Sequence, residues 1–347
     1  MTAPHDRFFR YTFAHPERAA ALLRYNLPAS LSTGVDWSSL RRESGTLVDW
    51  GRETRKDLLF SARYHHATEH EPRHFFPIEH QSRVERWMPL RMLDYSGRLI
   101  QNWHEVHPHS RWLPVITPLV VYPRQGRSWS ASLRLEEHYR VPGGAAGASQ
   151  SPWALRFEYL LDDLSTQSEQ SILARPGPPL VPLSLLVLRL AGTRKLAQRL
   201  PQWGELFARV YDAGQGLLTL YRVVRYIHHL GDERASAAVK RVLHSIMETQ
   251  QAEAFMRTMA QVLKDQGREE GLAEGLAQGL AEGEAKGLAR AVLQLLAARR
   301  IRVGKASRQR IQSCLDVATL ERWHARALNA TLVSDVLDGP TQPRRRV

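Results

Sequence analysis

Hydrophobic and polar positions follow two different periods in the first half of this chain. Residues 16–25 predict a helix with proline in its first turn, and residues 88–103 place large apolar side chains at alternating four- and three-residue steps, which predicts an amphipathic helix. Short apolar runs predict strands at residues 46–50, 56–62, 75–80, 115–122 and 157–161. Strands joined by a crossover helix predict a mixed sheet flanked by helices, an α/β architecture.

In the second half of the chain the sequence pattern predicts only helices. From residue 180 onward no convincing strand pattern occurs, and residues 201–213, 217–230 and 235–264 predict helices. We therefore expect an all-α C-terminal half after the sheet. The expected divisions are a core at 1–175, a helical extension at 176–264, a glycine-repeat segment at 265–290, a basic helical module at 291–338 and a disordered tail at 339–347.

A four-residue glycine repeat precedes the last module, with Glu-Gly-Leu-Ala as its unit. Six glycines in a helix would cost about 5 kcal/mol relative to alanine. The interleaved Glu and Lys side chains exclude a membrane span. We expect a helical arm that could mediate self-association, giving a homo-oligomer; a flexible connector is the alternative. The six glycines are Gly267, Gly271, Gly275, Gly279, Gly283 and Gly287.

The net charge of the chain indicates what kind of molecule it binds. The formal net charge is +13 and the isoelectric point is about 10.3, which favours a polyanion such as DNA. A dense group of cations after the repeat is a candidate DNA-backbone contact, with a solvated helix face as the alternative. We call it the basic cluster; its members are Arg299, Arg300, Arg302, Lys305, Arg308 and Arg310.

Cysteine content and hydropathy limit the cellular context. The single cysteine, Cys314, excludes an intramolecular disulfide framework. The first ten residues contain no apolar segment typical of a secretory signal, and no run of eighteen apolar residues occurs. We expect a cytoplasmic protein that has no membrane partner.

Two carboxylates and an amide form the main candidate site. Asp57 and Glu79 lie on predicted adjacent strands, and Gln81 projects to the same side of its strand as Glu79 because side chains alternate. Such oxygens suit a divalent cation, Mg²⁺ or another such as Mn²⁺ or Ca²⁺, with the backbone carbonyl of His80 as a third ligand. The amide of Gln81 does not titrate, so it could only orient water or contact phosphate. Spacing alone favours the alternative, in which Asp57 is a strand-end cap and Glu79 is a solvated or ion-paired residue.

The helix after this strand adds two candidate DNA contacts. Arg91 and Tyr95 are one turn apart, a spacing that suits contact with one phosphate. Surface solvation of Arg91 and core packing of Tyr95 are the alternatives.

These residues, with their neighbours, resemble a known family. The order Asp…Glu-x-Gln is similar to the PD-(D/E)xK nuclease motif, with Gln where Lys is usual. The surrounding sequence more closely resembles the recombination-promoting nucleases, also described as YhgA-like transposases. The matching stretches include His5-Asp-Arg-Phe-Phe-Arg, Asp57-Leu-Leu-Phe, Glu79-His-Gln-Ser, Met88-Pro-Leu-Arg-Met-Leu-Asp-Tyr and Leu160-Leu-Asp-Asp-Leu-Ser.

The resemblance implies a restriction-endonuclease-like fold and a metal-dependent DNA endonuclease that promotes recombination. It also implies that Glu17, on the first predicted helix, could assist the metal site; a favourable acidic residue in a helix first turn is the alternative. A second function, from another class, is a DNA-binding or assembly protein whose nuclease site is degenerate and which uses the basic cluster and the glycine-repeat arm.

Overall fold

The structure is a computed structural model that describes residues 4–43, 58–68, 71–124, 126–140, 153–214, 216–230 and 233–337. Between residues 262 and 281 it describes the helical backbone and only the side chains of residues 264, 265, 268 and 272. Its contacts divide the chain into two units, Met1–Met259 and Ala260–Val347.

The first unit is built on one mixed sheet, as the alternating strand and helix patterns predict. Its strand order is β1-β2-β3-β4-β5, with antiparallel pairing from β1 to β3 and parallel pairing from β3 to β5. The third strand, β3, therefore has one antiparallel and one parallel neighbour. The strands are β1 (Val35–Arg42), β2 (Leu58–Tyr64), β3 (His74–His80), β4 (Leu119–Tyr122) and β5 (Leu160–Asp163).

Helices cover both faces of this sheet. On one face, Tyr95 and Leu99 of α4 pack against Leu59 and Phe75. On the other face the ring of Phe9 in α1 stacks on His80 of β3, with ring centroids 5.1 Å apart. The helices of this region are α1 (Pro4–Phe13), α2 (Pro16–Asn26), α3 (Ala29–Ser32), α4 (Met88–Val106), α5 (Glu169–Leu173) and α6 (Leu180–Leu190).

A helical layer completes the first unit. Every residue of α6 except Arg189 is buried, which explains why its sequence is apolar all round rather than striped. Ser184 in this helix accepts a hydrogen bond from the Thr12 hydroxyl at 3.0 Å, so the polar groups of α6 and α1 satisfy each other. The remaining helices are α7 (Arg194–Arg199), α8 (Gly204–Asp212), α9 (Gly216–Leu230) and α10 (Glu233–Ile246), with 3₁₀ turns at Leu135–His138 and Leu200–Trp203.

The glycine repeat lies within one long helix, α11 (Thr249–Ala298). The repeat is therefore helical in this structure, whereas its role as an arm and its self-association stay predictions. In the second unit the end of α11 packs with α12 (Lys305–Gln312), α13 (Val317–Ala327) and α14 (Val333–Leu337). Their shared core includes Ala289, Val292, Leu296, Ile311, Leu320 and Trp323.

Several elements differ from the sequence predictions. The edge strand β1 and the first helix α1 were not predicted, and the predicted helix at 235–264 is two helices separated at Met247. In β1 the apolar alternation is broken by a register shift between Asp36 and Arg41, where the Asp36 carboxylate accepts a hydrogen bond from the backbone of Ser38. The strand predicted at 46–50 lies outside the described residues.

One buried ion pair joins β5 to the chain that follows α5. Both terminal nitrogens of Arg175 donate to the Asp162 carboxylate at 2.7 Å, and both side chains are almost fully buried. Asn26 of α2 donates to the same carboxylate at 3.2 Å, and the guanidinium lies 4.1 Å from the ring centroid of Tyr25. The ion pair and its contacts with Asn26 and Tyr25 thus connect α2 to the last strand of the sheet.

Removing one partner should expose the cost of burying the other. We expect Arg175→Met to lower the free energy of unfolding by about 3 to 5 kcal/mol, because it leaves a buried carboxylate without its counter-charge. The matched control is Arg98→Met, which breaks the exposed pair with Asp94 and should cost less than about 1 kcal/mol. Urea unfolding measures both; equal losses would contradict this assignment.

His74 should make stability depend on pH. Its ring is buried between the Tyr64 hydroxyl at 3.0 Å and the Thr117 hydroxyl at 2.8 Å, and burial lowers its pKa from 6.5 to about 4. Between these values the unfolded chain binds a proton that the folded chain does not. The free energy of unfolding should therefore decrease as the pH is lowered from 6.5 to 4. His74 contributes at most about 1.4 kcal/mol per pH unit to this decrease.

The variant His74→Asn removes this titration, so we expect a shallower dependence of stability on pH in that range. The exposed His109→Asn serves as the control and should retain the wild-type dependence. Urea midpoints measured at several pH values test this, and identical slopes in all three proteins would contradict it.

Candidate functional site

Glu79 lies at the carboxyl end of the central strand and is 2% exposed. It pairs with Val120 of the parallel neighbour β4, and the ladder continues to Gln81, whose backbone N–H donates to the Val121 carbonyl at 3.0 Å. The Gln81 side-chain amide donates to Oε1 of Glu79. The prediction that Glu79 and Gln81 share one side of the strand is thereby confirmed.

The charge of Glu79 is met by Arg91, from the start of α4. Nη2 of Arg91 lies 2.5 Å from Oε1 of Glu79, while Nη1 lies 3.3 Å from the Glu85 carboxylate. A carboxylate buried this deeply requires a counter-charge or hydrogen bonds, and here it has both. The role of Arg91 as a phosphate contact stays a prediction; in this structure its side chain contacts Glu79, the predicted metal ligand.

His80 points to the opposite face of β3. Its Nδ1 atom lies 2.7 Å from the Asp6 carboxylate of α1, and its ring is buried against Phe9. The imidazole is therefore remote from the side of the strand that Glu79 and Gln81 share. The role predicted for the His80 backbone carbonyl as a metal ligand stays a prediction.

Polar groups from α1 and α9 surround this histidine, and the sequence interpretation missed them. Nδ1 of His5 lies 2.6 Å from the Tyr226 hydroxyl, and its ring stacks on that of His80 with centroids 6.5 Å apart. Burial, reinforced by His80, lowers the pKa of His5, and burial raises the pKa of Tyr226. The adjacent polar pair His5-Asp6, in a helix rich in aromatic residues, was the sequence signal for these contacts.

Of three other predicted site residues, the structure describes two, Glu17 and Tyr95. Asp57 lies outside the described residues; it precedes Leu58, which pairs with Ile78, the residue before Glu79. Glu17 is exposed in the first turn of α2 and lines a cavity of about 750 Å³ whose lining does not include Glu79. Tyr95 is 8% exposed in the core under α4, so the core-packing alternative describes it better than phosphate contact.

All members of the basic cluster are exposed, at the end of α11, in the connection that follows and in α12. Arg300 adopts a positive φ of 58° where α11 ends. The Arg299 guanidinium donates to the Leu328 carbonyl, and that of Arg310 lies 5.7 Å from the Trp323 ring centroid. Two members of the cluster thus contact the last helices, and all six side chains are exposed to solvent.

The donor chemistry around Glu79 suits a hard cation in part. Its carboxylate is an oxygen ligand of the kind Mg²⁺ prefers, and the Gln81 amide beside it adds a polar side chain. Within the part of the chain that the structure describes, no group of three or more His, Cys, Asp or Glu side chains is arranged to hold a metal ion. The role predicted for Asp57 as a metal ligand stays a prediction, because Asp57 lies outside the described residues.

The fold and site define a mixed α/β protein with a buried acidic residue at the end of its central strand. The chain belongs to the family described as putative transposase, YhgA-like, whose model matches residues 3–217. The resemblance identified from the motifs is thus confirmed.

Curated relatives in Escherichia coli bear nuclease names. Recombination-promoting nuclease RpnD of strain O157:H7 is 33% identical over 132 residues, which are 37% of this chain and 49% of that protein. Recombination-promoting nuclease RpnA of strain K12 is 31% identical over 123 residues, 35% of this chain and 40% of that protein. The chain therefore spans half or less of the length of these two relatives.

A shorter relative is named as inactive. Putative inactive recombination-promoting nuclease-like protein YjiP of Escherichia coli K12 is 33% identical over 96 residues, 27% of this chain and 90% of that protein. No solved structure matches the chain. Among the helices of the described residues, none combines the length and apolar character needed to cross a bilayer.

Proposed function

We propose that this protein is a metal-dependent DNA endonuclease with a restriction-endonuclease-like core, and that it promotes DNA recombination. The observation that carries the proposal is the Glu79 carboxylate, buried at the carboxyl end of β3 and held by Gln81 and Arg91. Membership of the YhgA-like family and relatives named recombination-promoting nucleases support it.

In this proposal Asp57 and Glu79 would hold Mg²⁺, or Mn²⁺ or Ca²⁺ in its place, with the His80 carbonyl as a third ligand. When bound, such a cation acidifies a water molecule and neutralises charge on the phosphate. Gln81 orients that water through its amide and cannot remove a proton from it. Glu17 is an accessory only if its side chain reaches Asp57.

The basic cluster would hold DNA through its phosphates. Its members are exposed cations on a helical module, and such contacts fix position without reading sequence. Arg91 would join them at the site itself when it is not paired with Glu79. Self-association through α11 belongs to the same proposal, since a second copy would double the number of phosphate contacts.

A second candidate function is a DNA-binding or assembly protein whose nuclease site is degenerate. Two observations favour it: a relative named inactive aligns over 90% of its length, and Glu79 is neutralised by an arginine from its own chain. The basic cluster and α11 would then provide the whole function.

Plasmid cleavage separates these candidates. We expect wild-type protein to nick or linearise supercoiled plasmid with Mg²⁺ or Mn²⁺ but not with EDTA. Asp57→Ala and Glu79→Ala should each lower the rate on the order of 100-fold or more, because a lost ligand costs at least as much as a lost supporting contact.

Asp94→Ala is the matched control, an exposed carboxylate on α4 that should leave cleavage unchanged. Plasmid that stays intact with every metal, while DNA binding persists, would exclude the nuclease and support the second candidate. Cleavage that survives both ligand substitutions would exclude this site.

DNA affinity should depend on salt through the basic cluster. We expect Arg300→Gln, Arg302→Gln and Arg308→Gln together to reduce the slope of log K against log salt by about 2 to 3, since each phosphate contact contributes about 0.9. Fluorescence anisotropy of a labelled duplex in EDTA measures this without cleavage.

The control for this measurement replaces three exposed cations outside the cluster, Lys286, Arg290 and Arg322, with glutamine. It removes the same formal charge, so it should change the slope by less than the cluster variant does. Equal slopes in the two triple variants would show that net charge, and not the cluster, determines binding.

A further inference from the structure

The connection between β3 and α4 ends in an exposed tryptophan. Trp87 is 49% exposed, although the two residues that follow it in α4, Met88 and Pro89, are buried. Its carbonyl oxygen accepts a hydrogen bond from the backbone N–H of Arg91 at 3.0 Å, and the Arg91 guanidinium contacts Glu79. The indole therefore lies on the surface, one helical turn from the arginine that reaches the end of the central strand.

Two side chains hold the indole in place. The guanidinium carbon of Arg86 lies 5.3 Å from the centroid of the Trp87 ring, which is a cation–π contact. The His138 imidazole, from the 3₁₀ turn at Leu135–His138, packs against the same ring with centroids 4.9 Å apart. An exposed ring that is already held in one orientation loses little conformational freedom when a ligand binds to it.

The connection that carries Trp87 is also positively charged. Residues 81–87 include two arginines, Arg83 and Arg86, and both are exposed. The acidic residue of this segment, Glu85, accepts a contact from the Arg91 side chain at 3.3 Å, so its charge is met by a cation outside the segment. The two exposed arginines therefore favour an anionic partner over an apolar protein surface.

An aromatic ring beside arginines matches the chemistry of a single nucleic-acid strand. Every base has a flat π face, so an aromatic side chain can stack on it whatever the sequence, while guanidinium groups contact the phosphates. Along a duplex each base is already stacked between its neighbours, and its faces are not available to a protein ring. A surface of this kind therefore selects unpaired bases.

We propose that Trp87 stacks on an unpaired base of single-stranded DNA, and that Arg83 and Arg86 contact the phosphates beside that base. We call these three residues the stacking surface. The inference rests on the proposed function in that the ligand is DNA, and it specifies unpaired strands as the substrate class. It requires no metal ion, because stacking and phosphate contact involve only side chains of the connection.

Removing the bases from the ligand isolates the stacking contact. Fluorescence anisotropy in EDTA compares a labelled oligothymidylate of about 12 nucleotides with an abasic strand of the same length and charge. Wild type should bind the oligothymidylate about tenfold more tightly, equivalent to about 1.4 kcal/mol. Trp87→Ala should lose this preference, whereas Trp87→Phe keeps an aromatic face and should retain most of it.

Two further variants separate stacking from other effects. Trp112→Ala removes another tryptophan of the first unit, which is 67% exposed, and should keep the wild-type preference for bases. Arg83→Gln combined with Arg86→Gln should weaken binding of both strands and reduce the slope of log K against log salt by about 1.4, since each phosphate contact on a single strand contributes about 0.7. Thermal unfolding confirms that each variant is folded.

Tryptophan emission gives a second readout, which a purely structural role of Trp87 would not change. The oligothymidylate should quench part of the wild-type emission and the abasic strand should not. In Trp87→Phe the quenching should be smaller although the strand still binds. The affinity of Trp87→Ala for a duplex should equal that of wild type, because stacked base pairs offer no face to the indole.

The contrary results have different meanings. If wild type binds DNA but does not prefer the strand with bases, or if Trp87→Ala keeps that preference, the stacking surface is wrong and the proposed function stands. If wild type binds no DNA of either kind, the proposed function fails as well. Tighter binding of an oligouridylate RNA than of the oligothymidylate would overturn DNA as the ligand of this surface.

Discussion

The two-residue alternation of β3 organises the first unit. Both edges of β3, the middle strand, are paired, and helices α4 and α1 cover its two faces, so neighbouring residues at its carboxyl end face different helices. Glu79 and Gln81 face the side where Arg91 approaches from α4, whereas His80 faces α1 and contacts Asp6. A single backbone constraint thus separates one acidic site from a histidine cluster only one residue away.

The two buried carboxylates described in this sheet each have a positively charged partner. Glu79, at 2% exposure, contacts Arg91 and the Gln81 amide, and the buried Asp162 on β5 is paired in the same way with Arg175, because burying a carboxylate without a partner is costly. The two pairs differ in their cations: Arg175 is sealed at 1% exposure, and Arg91 remains 37% exposed. The Asp162–Arg175 pair is thus closed off from solvent, whereas the Glu79–Arg91 pair reaches solvent through its arginine.

Local sequence patterns predicted part of this arrangement. The rest depends on contacts between residues far apart in the sequence and could not be predicted. The shared side of Glu79 and Gln81 follows from strand period alone, and α4 follows from its apolar stripe. The partners of Glu79 and His80 do not, because Arg91 and Asp6 are 12 and 74 positions away and only the packed helices bring them there. Strand β1 was missed because serines and a register shift interrupt its alternation.

The balance between an active nuclease and a degenerate one can be argued from energetics. A buried ion pair is seldom more stable than apolar side chains of similar size, so folding alone gives no reason to place Glu79 and Arg91 together under α4. The neighbouring positions show what the fold itself requires: Leu59, Phe75 and Leu99 are apolar and close-packed. A site kept only for stability would extend that packing to the end of β3. Instead the chain places there a carboxylate, an amide and a partly exposed guanidinium, the polar combination on which the proposed nuclease function rests.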